Sequence, residues 1–315
     1  KFFKKLKMCL SEIILSFILF DYLNKRKSNL DGIIFYSFWS NYSLISFFRI
    51  KKKLTNSKFI ARALGSDLNG YLENDDYVPY KKIKFLELDK LILVGDYQKK
   101  KLENIPLDKK NIEISPLGIN LQKERKNNQL NKDIVFLSCG NLIEIKNNFL
   151  MIDFLKRFSL KIGKKIDYIL IGDGILKKKI ELELSKSKNQ INFKHYSYVE
   201  NFEDFIKQSE TNFFLNFSSQ EGMPFTVMET MSFGIPTIAS NIDPNIYLVK
   251  NNGYLFDLKN YGTSIEKVID EIQSDIQNKE LYFEKCKNSY NFINKNLDNT
   301  KWCNNFMKIL MNFYL

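Results

Sequence analysis

The chain has 315 residues, 44% of them hydrophobic and 27% charged, which suits two globular domains and excludes a disordered or collagen-like protein. Its formal net charge of +12 favours anionic partners such as nucleotides or phospholipid headgroups. Because the lysines are spread along the chain and no nucleic-acid-binding motif is present, we expect no nucleic-acid partner. Four scattered cysteines and a single histidine argue against a disulfide scaffold, a zinc site and a serine-protease-like triad.

The first 23 residues place a basic run before an apolar run, as a signal peptide does. The apolar stretch between Glu12 and Asp21 has only eight residues, well short of the ~20 that span a bilayer. We therefore predict an amphipathic helix whose apolar side packs on a sheet. A helix lying in a membrane interface is the alternative.

Short apolar runs then alternate with helix-length amphipathic stretches, the rhythm of a parallel sheet with helices on both faces. The first series predicts strands at 32–38, 57–62, 90–95 and 111–115. A polar stretch after Gly118 marks the boundary of this N-terminal Rossmann-like domain, which we place at 1–120.

A second series begins at residue 134 and predicts another doubly wound sheet, in a domain at 121–298. Its strands are predicted at 134–139, 166–171, 190–194, 211–216 and 235–239. Its helices are predicted at about 147–162, 175–187, 200–209 and 224–233. The last segment, 299–315, is predicted to be a helix that packs back on the N-terminal domain, because Trp302, Phe306, Leu310 and Phe313 share one face.

A helix start after an apolar strand, at 218–236, is the most informative segment. Pro224 suits the first helical position and Gly234 suits the helix stop. Backbone N–H groups of Gly222, Met223 and Phe225 would then point out of the helix start, where a phosphate binds readily.

Two carboxylates flank this expected phosphate seat, Glu221 before the helix and Glu229 within it. An extended nucleotide-sugar needs hydroxyl acceptors on both sides of its diphosphate, so Glu221 could hold the sugar and Glu229 the ribose. From spacing alone, two solvated carboxylates remain an equally good interpretation.

The run EGMPFTVMETMSFGIPTIAS, which starts at Glu221, resembles the signature of the family-4 retaining glycosyltransferases. The resemblance implies the α/β GT-B fold, with two facing Rossmann-like domains, and a nucleotide diphosphate-sugar donor, which we expect to be a UDP-sugar. It also implies retention at the anomeric carbon, no metal and no cofactor besides the donor substrate. Glu221 is implied as catalytic. The implied donor-binding residues of this segment are Gly222, Met223, Pro224, Phe225, Thr226 and Glu229.

The segment from Gly140 to Lys146 is similar to the family's first loop of the C-terminal domain. Lys146 stands where a lysine meets the diphosphate and is implied as catalytic, and Gly140 and Asn141 are implied as donor-binding. Asn141 takes the place of an arginine, so a charge-assisted, fork-shaped contact is replaced by a neutral one.

The turn Gly172-Asp173-Gly174 resembles the family's strand-end turn beside the nucleotide base, and the segment with His195 occupies the place of a neighbouring loop. We expect Gly172, Gly174 and His195 to bind the donor. A tight turn and a structural histidine are the alternatives.

Arg62-Ala63-Leu64-Gly65-Ser66-Asp67 resembles the family's R-x-H-G-x-D segment, with Leu64 at the histidine position. Leucine can neither donate nor accept a proton. Arg62, Gly65 and Asp67 are implied as acceptor-side residues.

The family's opening strand and glycine-rich loop have no counterpart before residue 31, so we expect the N-terminal domain to be incomplete and about the first quarter of the protein to be missing.

The sequence thus predicts a metal-independent, retaining glycosyltransferase of bacterial surface polysaccharide synthesis, with a saccharide or lipid-linked saccharide acceptor. We expect it to be cytoplasmic, with peripheral contact to the anionic inner face of the membrane. Leu64 and Asn141 leave open a degenerate protein that binds nucleotide-sugar or a partner without transfer. An epimerase of the same fold would need acid and base residues, which the single histidine disfavours.

Overall fold

The chain divides into two compact units in a computed structural model that describes residues 2–69, 77–86, 88–122, 130 and 133–313. One unit comprises Lys1–Gly118 and Thr300–Leu315, and the other comprises Ile119–Asn299. The sequence placed the boundary after residue 120 and the C-terminal segment from residue 299.

The first unit contains a four-stranded parallel sheet whose strands lie in sequence order, β1-β2-β3-β4. These strands are β1 (Ile34–Ser37), β2 (Lys58–Ala63), β3 (Lys90–Leu93) and β4 (Ile112–Ile114). Its first four helices are α1 (Phe2–Lys25), α2 (Tyr42–Ile50), α3 (Ser66–Asn69) and α4 (Lys81–Leu86).

The second unit contains a six-stranded parallel sheet in the order β10-β9-β8-β5-β6-β7. Its strands are β5 (Val135–Cys139), β6 (Ile166–Ile171), β7 (Ile191–Tyr196), β8 (Phe213–Asn216), β9 (Thr237–Ser240) and β10 (Gly253–Phe256). Its helices are α5 (Asn148–Ile162), α6 (Lys177–Lys186), α7 (Phe202–Gln208), α8 (Phe225–Ser232), α9 (Asp243–Leu248), α10 (Tyr261–Gln277) and α11 (Lys279–Asn296). The strand order reverses between β5 and β8, and such a switch point is where parallel sheets bind ligands.

The central strands of this second sheet are buried on both faces, which explains their unbroken apolar runs. Every residue of β8 and β9 is buried. Phe136 of β5 stacks on Phe213 of β8, with ring centroids 5.4 Å apart, and meets Phe154 of α5 edge-on at 5.6 Å. This aromatic packing fixes β5 against β8 and so positions the loops that follow both strands.

The last helix, α12 (Asn299–Met311), belongs almost entirely to the first unit. Trp302 and Phe306, one helical turn apart, stack with ring centroids 5.6 Å apart. Phe306 also contacts Tyr36 of β1 at 4.9 Å. The predicted apolar face of this segment therefore packs on the N-terminal residues.

Helix α1 packs mainly on helix α2, and its buried Leu23 belongs to the same apolar core as Phe59 of β2 and Leu91 of β3. The hydroxyl of Ser46 in α2 donates to the carbonyl of Ser16 at 2.8 Å, and Leu23 of α1 is buried. Lys84 of α4 is also buried and its Nζ lies 2.6 Å from Glu12 Oε2. The outer side of the helix keeps large apolar side chains exposed. In the described part of the chain, no helix is both long and apolar enough to cross a membrane.

Candidate active site at the switch point of the second sheet

The loops after β5 and β8 bring together Lys146 and Glu221 at the strand-order reversal. Lys146 Nζ lies 2.5 Å from Glu221 Oε1, and the Ser218 hydroxyl donates to the same oxygen at 2.7 Å. The side chains of Lys146 and Glu221 are 24% and 13% exposed, so the pair is partly shielded from water but still accessible. Sequence reasoning selected both charged residues and missed Ser218.

Hydrogen bonds to backbone carbonyls link the two loops to each other. The Asn147 side-chain amide donates to the Phe217 carbonyl at 2.8 Å, and the Ser219 N–H donates to the Ile145 carbonyl, also at 2.8 Å. Asn147 has a φ of 50°, a left-handed conformation that asparagine tolerates better than most residues. These contacts hold Lys146 between two anchored neighbours, so its position relative to Glu221 is defined by the backbone.

A small pocket of about 20 Å³, lined mainly by polar residues, opens between these loops and the ends of β5, β6 and β8. Its lining includes Gly140, Asn141, Lys146 and Ser218. Asn148 also lines it, is only 4% exposed, and its Nδ2 has no hydrogen-bond partner among the residues that the structure describes. A buried amide donor without a partner is costly, so this pocket favours an acceptor atom from a ligand or water.

Helix α8 begins at Phe225, one residue later than the sequence predicted. Pro224 is the residue before the helix, with extended backbone angles, and not its first helical residue. The Met223 side chain is buried in the core, so only its backbone can face a donor. Gly222 and Thr226 are half-buried and Phe225 is exposed. Gly234 has a φ of 75° and ends the helix as predicted.

Glu229, on the second turn of α8, lies in a shielded environment. Burial, with a smaller effect from Glu203 of α7, raises the pKa of Glu229 to about 7. Burial and the nearby Glu229 carboxylate raise the pKa of the Cys139 thiol to about 12, so this cysteine is a poor nucleophile at neutral pH. Sequence reasoning selected Glu229 but missed Glu203, whose oxygen accepts from the Gln122 amide at 2.6 Å.

The turn from Gly172 to Gly174 packs directly on the Gly140 loop. A Cβ at Gly172 would lie 2.0 Å from the Gly140 carbonyl oxygen, and one at Gly174 would lie 2.5 Å from the Leu142 carbonyl oxygen. The Leu142 N–H donates to the Asp173 carbonyl at 2.8 Å. These glycines therefore permit two strand-end loops to touch, which is a packing requirement that any larger residue would violate.

His195 is held inside the unit and presents little of its ring to solvent. Its Nδ1 lies 2.7 Å from Glu181 Oε1 of α6, and its Nε2 lies 2.9 Å from the Gly172 carbonyl oxygen. Its side chain is 8% exposed. Because both ring nitrogens are engaged by the protein, His195 supports the Gly172 turn in this structure and does not offer a nitrogen to a base.

The acceptor-side residues predicted in the first unit are buried and make their polar contacts within that unit, although Arg62 Nη2 has no hydrogen-bond partner among the described residues. Arg62 is fully buried, donates to the Tyr36 hydroxyl at 3.0 Å and to the Ser115 carbonyl at 2.6 Å, and its guanidinium lies 5.4 Å from the Trp302 ring. Asp67 is 1% exposed and accepts the Leu64 N–H at 2.9 Å. Burial lowers the pKa of Arg62 and raises that of Asp67.

These two side chains therefore hold the unit together and are not accessible to an acceptor in this structure. Gly65 is buried beside them, and Leu64 is 8% exposed. Leu64 itself contributes an apolar contact where the family places a histidine.

The solved structures that resemble the chain identify its fold class. The pneumococcal O-GlcNAc transferase GtfA, solved in complex with UDP and GlcNAc, superposes with a TM-score of 0.72 at 14% identity. The match covers 94% of this chain and 60% of GtfA. At this identity the likeness shows the fold, and the chain has the α/β GT-B fold that the sequence predicted.

The family follows from the sequence of the second unit. A family model described as glycosyl transferases group 1 matches residues 120–288, which is 169 of the 315 residues. The chain belongs to this family of glycosyltransferases. The matched region contains the complete site around Lys146 and Glu221.

Two relatives of known role come from Escherichia coli. The O-antigen biosynthesis glycosyltransferase WclY is 29% identical over 219 residues, which is 64% of this chain and 60% of WclY. A UDP-Gal:alpha-D-GlcNAc-diphosphoundecaprenol alpha-1,3-galactosyltransferase is 27% identical over 124 residues, 38% of this chain and 31% of that protein. The chain thus spans less than two thirds of the length of the relatives it matches.

Proposed function

We propose that this chain acts as a family-4 retaining glycosyltransferase that uses a nucleotide diphosphate-sugar donor, most simply a UDP-sugar. The observation that carries the proposal is the Lys146–Glu221 pair at the switch point, beside the start of helix α8. A cation, a carboxylate and the positive end of a helix dipole at one place suit a substrate with a diphosphate and a sugar.

The donor diphosphate would lie against Lys146 and the backbone N–H groups at the start of α8. A phosphate oxygen would then replace Glu221 as the partner of Lys146, which frees the carboxylate to accept sugar hydroxyls. Glu229 would accept the ribose hydroxyls. Gly140, Asn141, Gly172 and Gly174 would form the backbone wall beside the diphosphate and the base, with His195 supporting that wall.

In the reaction, the bond between the anomeric carbon and the diphosphate oxygen breaks, and the acceptor oxygen bonds to the same face of the sugar. The departing phosphate takes the acceptor proton, and the anomeric configuration is retained because the acceptor bonds on the face from which the diphosphate leaves. Lys146 and the α8 N–H groups stabilise the negative charge that grows on the leaving diphosphate, a role worth several kcal/mol in preorganised sites. We propose that no metal is required, because these groups supply the positive charge.

The acceptor would be a saccharide or a lipid-linked saccharide of bacterial surface polysaccharide. Support comes from the names of the relatives, one acting in O-antigen biosynthesis and one on a sugar linked to diphosphoundecaprenol. Such an acceptor places the enzyme in the cytoplasm, in peripheral contact with the inner face of the membrane. The net charge of +12 favours that anionic surface.

The test is a donor panel of UDP-, GDP- and dTDP-sugars, with free nucleoside diphosphate measured in the presence and absence of lipid-linked acceptors. We expect release from a UDP-sugar that depends on acceptor and is unaffected by EDTA. Donor binding by calorimetry without release from any donor would instead support the degenerate binding protein suggested by Leu64 and Asn141. If the protein neither binds any of these donors nor releases nucleoside diphosphate from them, the proposed function is overturned.

A further inference from the structure

We propose that the outward face of helix α1 is a membrane-docking surface that lies flat in the headgroup region of an anionic bilayer. The proposal rests on the peripheral location proposed above and names the element and side chains that provide it. It is carried by the exposed apolar stripe of α1 and by the charges around it.

Five large apolar side chains lie on the outward face of α1. Phe3, Leu10, Ile14, Phe17 and Ile18 follow each other at helical spacing on one face, and each is at least half exposed, from 51% for Phe17 to 83% for Phe3. The opposite face contains the buried Ser16 and Leu23. The helix is therefore apolar on a side that its own unit does not cover, and such a stripe marks an interaction surface.

Basic residues flank the stripe at both ends of the helix. Lys4 and Lys7 are exposed near its start, and Lys25, Arg26 and Lys27 are exposed at its end. This arrangement lets apolar side chains enter the acyl boundary while the ammonium and guanidinium groups reach lipid phosphates.

Helix α2 adds one more cation beside the same stripe. The Arg49 guanidinium lies 3.7 Å from the Phe17 ring centroid, so its charge sits next to an exposed aromatic side chain. An arginine over an aromatic ring is suited to the headgroup region of a bilayer, because the ring can contact acyl chains while the guanidinium contacts water and lipid phosphates.

Both acidic residues of α1 are neutralised by lysines. Glu12 pairs with buried Lys84 at 2.6 Å on the inner side, and Asp21 pairs with Lys25 at 2.6 Å. The surface around the stripe is therefore net positive. That sign fits an anionic lipid surface, whereas a second copy of the same chain would bring like charges together.

The helix geometry fits a flat orientation. Twenty-four residues give a helix about 36 Å long, and its inner face contacts α2 through the hydrogen bond from Ser46 to the Ser16 carbonyl. The helix lacks the apolar composition needed to cross a membrane. Contact in the plane of the interface leaves the fold of the first unit intact.

The experiment is co-sedimentation of the whole chain with vesicles of phosphatidylcholine alone or with phosphatidylglycerol added. We expect binding that requires phosphatidylglycerol and weakens as salt rises, because screening shortens the reach of the lysine charges. The Ile14→Ser/Ile18→Ser variant should bind about tenfold more weakly, since both side chains lose their apolar transfer energy. Leu160→Ser/Leu182→Ser is the matched control, because both leucines are exposed on α5 and α6 of the second unit.

Lys4→Gln/Lys7→Gln should weaken binding in the same assay, with Lys279→Gln/Lys287→Gln as a control for the change in net charge. Circular dichroism confirms that each variant is folded. Equal binding by the α1 variants and their controls would overturn the proposal, as would binding that ignores lipid charge. If the protein self-associates and the Ile14→Ser/Ile18→Ser variant does not, the stripe binds a second copy of the chain, and the proposal is likewise overturned. The vesicle assay contains no sugar donor and no acceptor, so its result does not depend on whether the protein transfers a sugar.

Discussion

Lys146 and Glu221 form an ion pair of 2.5 Å although 75 residues separate them in the sequence. They meet because β5 and β8 are neighbours in the sheet while β6 and β7 lie on the far side of β5. The pair occupies the place where the chain reverses its direction of winding, and its partial burial strengthens the interaction relative to open water.

The first prediction concerns this pair. Lys146→Met and Glu221→Gln should each lower kcat by about 10²- to 10³-fold, because Lys146 faces the negative charge that develops on the leaving diphosphate and Glu221 orients the transferred sugar. Transfer measured as acceptor-dependent UDP release tests this.

The control pair is Lys156–Glu183, which is 2.7 Å apart and links α5 to α6. Lys156→Met and Glu183→Gln should leave kcat within about twofold, since this half-buried pair joins two helices and is not part of the candidate site. Similar losses in both pairs would refute a specific role for Lys146 and Glu221.

The second prediction restores an arginine at the exposed position 141. Asn141→Arg should tighten UDP binding about tenfold, because a guanidinium makes a charge-assisted, fork-shaped contact with phosphate. Calorimetry with UDP measures the change. Asn189→Arg adds the same charge at an exposed turn after α6 and should leave the affinity unchanged. If both variants tighten binding equally, the effect is one of net charge and not of a diphosphate contact.

The third prediction is a pH dependence of donor binding. The pKa of Glu229 is about 7 in the donor-free protein, so the carboxyl is mostly protonated at pH 6 and mostly ionised at pH 8. Only the ionised form accepts hydrogen bonds from both ribose hydroxyls with full strength. UDP affinity should therefore rise as pH increases from 6 to 8. Glu229→Gln should flatten this profile, and Glu203→Gln should move its midpoint to lower pH. An unchanged profile in Glu229→Gln would assign the titration to another group.

The fourth prediction concerns His195, the single histidine of the chain. His195→Ala should raise the donor KM about tenfold with kcat within about twofold, because the Gly172 turn loses a hydrogen-bonded support and the chemistry is untouched. His195→Gln should recover part of the loss, since its amide can still donate to the Gly172 carbonyl. A fall in kcat without a change in KM would contradict a positioning role. The lone imidazole resonance in a proton–nitrogen spectrum also reports directly whether UDP moves this turn.

The fifth prediction tests the structural role of Arg62. Arg62→Met should reduce the free energy of unfolding by about 3 kcal/mol, because the half-buried Tyr36 hydroxyl and the carbonyl of the buried Ser115 lose their hydrogen-bond donor. Arg62→Lys should not rescue it, since an ammonium cannot make both contacts and lie against Trp302. Both tryptophans, Trp39 and Trp302, belong to the first unit, so fluorescence during urea unfolding follows that unit alone. Arg157→Met, at an exposed pair in the second unit, should leave this transition unchanged.

Several elements could be predicted from the sequence because each depends on local pattern. The strands β5 and β6 fall at 135–139 and 166–171, within one residue of their predicted bounds, since their apolar runs are bounded by polar turns. Helix α9 was missed because six residues are too few to show helical periodicity, and strand β10 was missed because its four residues begin at Gly253, directly after the polar run Lys250-Asn251-Asn252. Pro244 at the start of α9 was the one available signal.

What the sequence alone determined is the order of strands and helices, the motif around Glu221 and Glu229, and the family that this motif resembles. The tertiary structure decided which loops meet, since strand order is set by packing between distant segments and leaves no mark on local periodicity. It alone brought Ser218 to Glu221, Glu203 near Glu229 and Glu181 to His195. It also placed Arg62 in the core and left the outer stripe of α1 exposed, because burial is a property of the assembled unit and a charged residue can be internal when partners surround it.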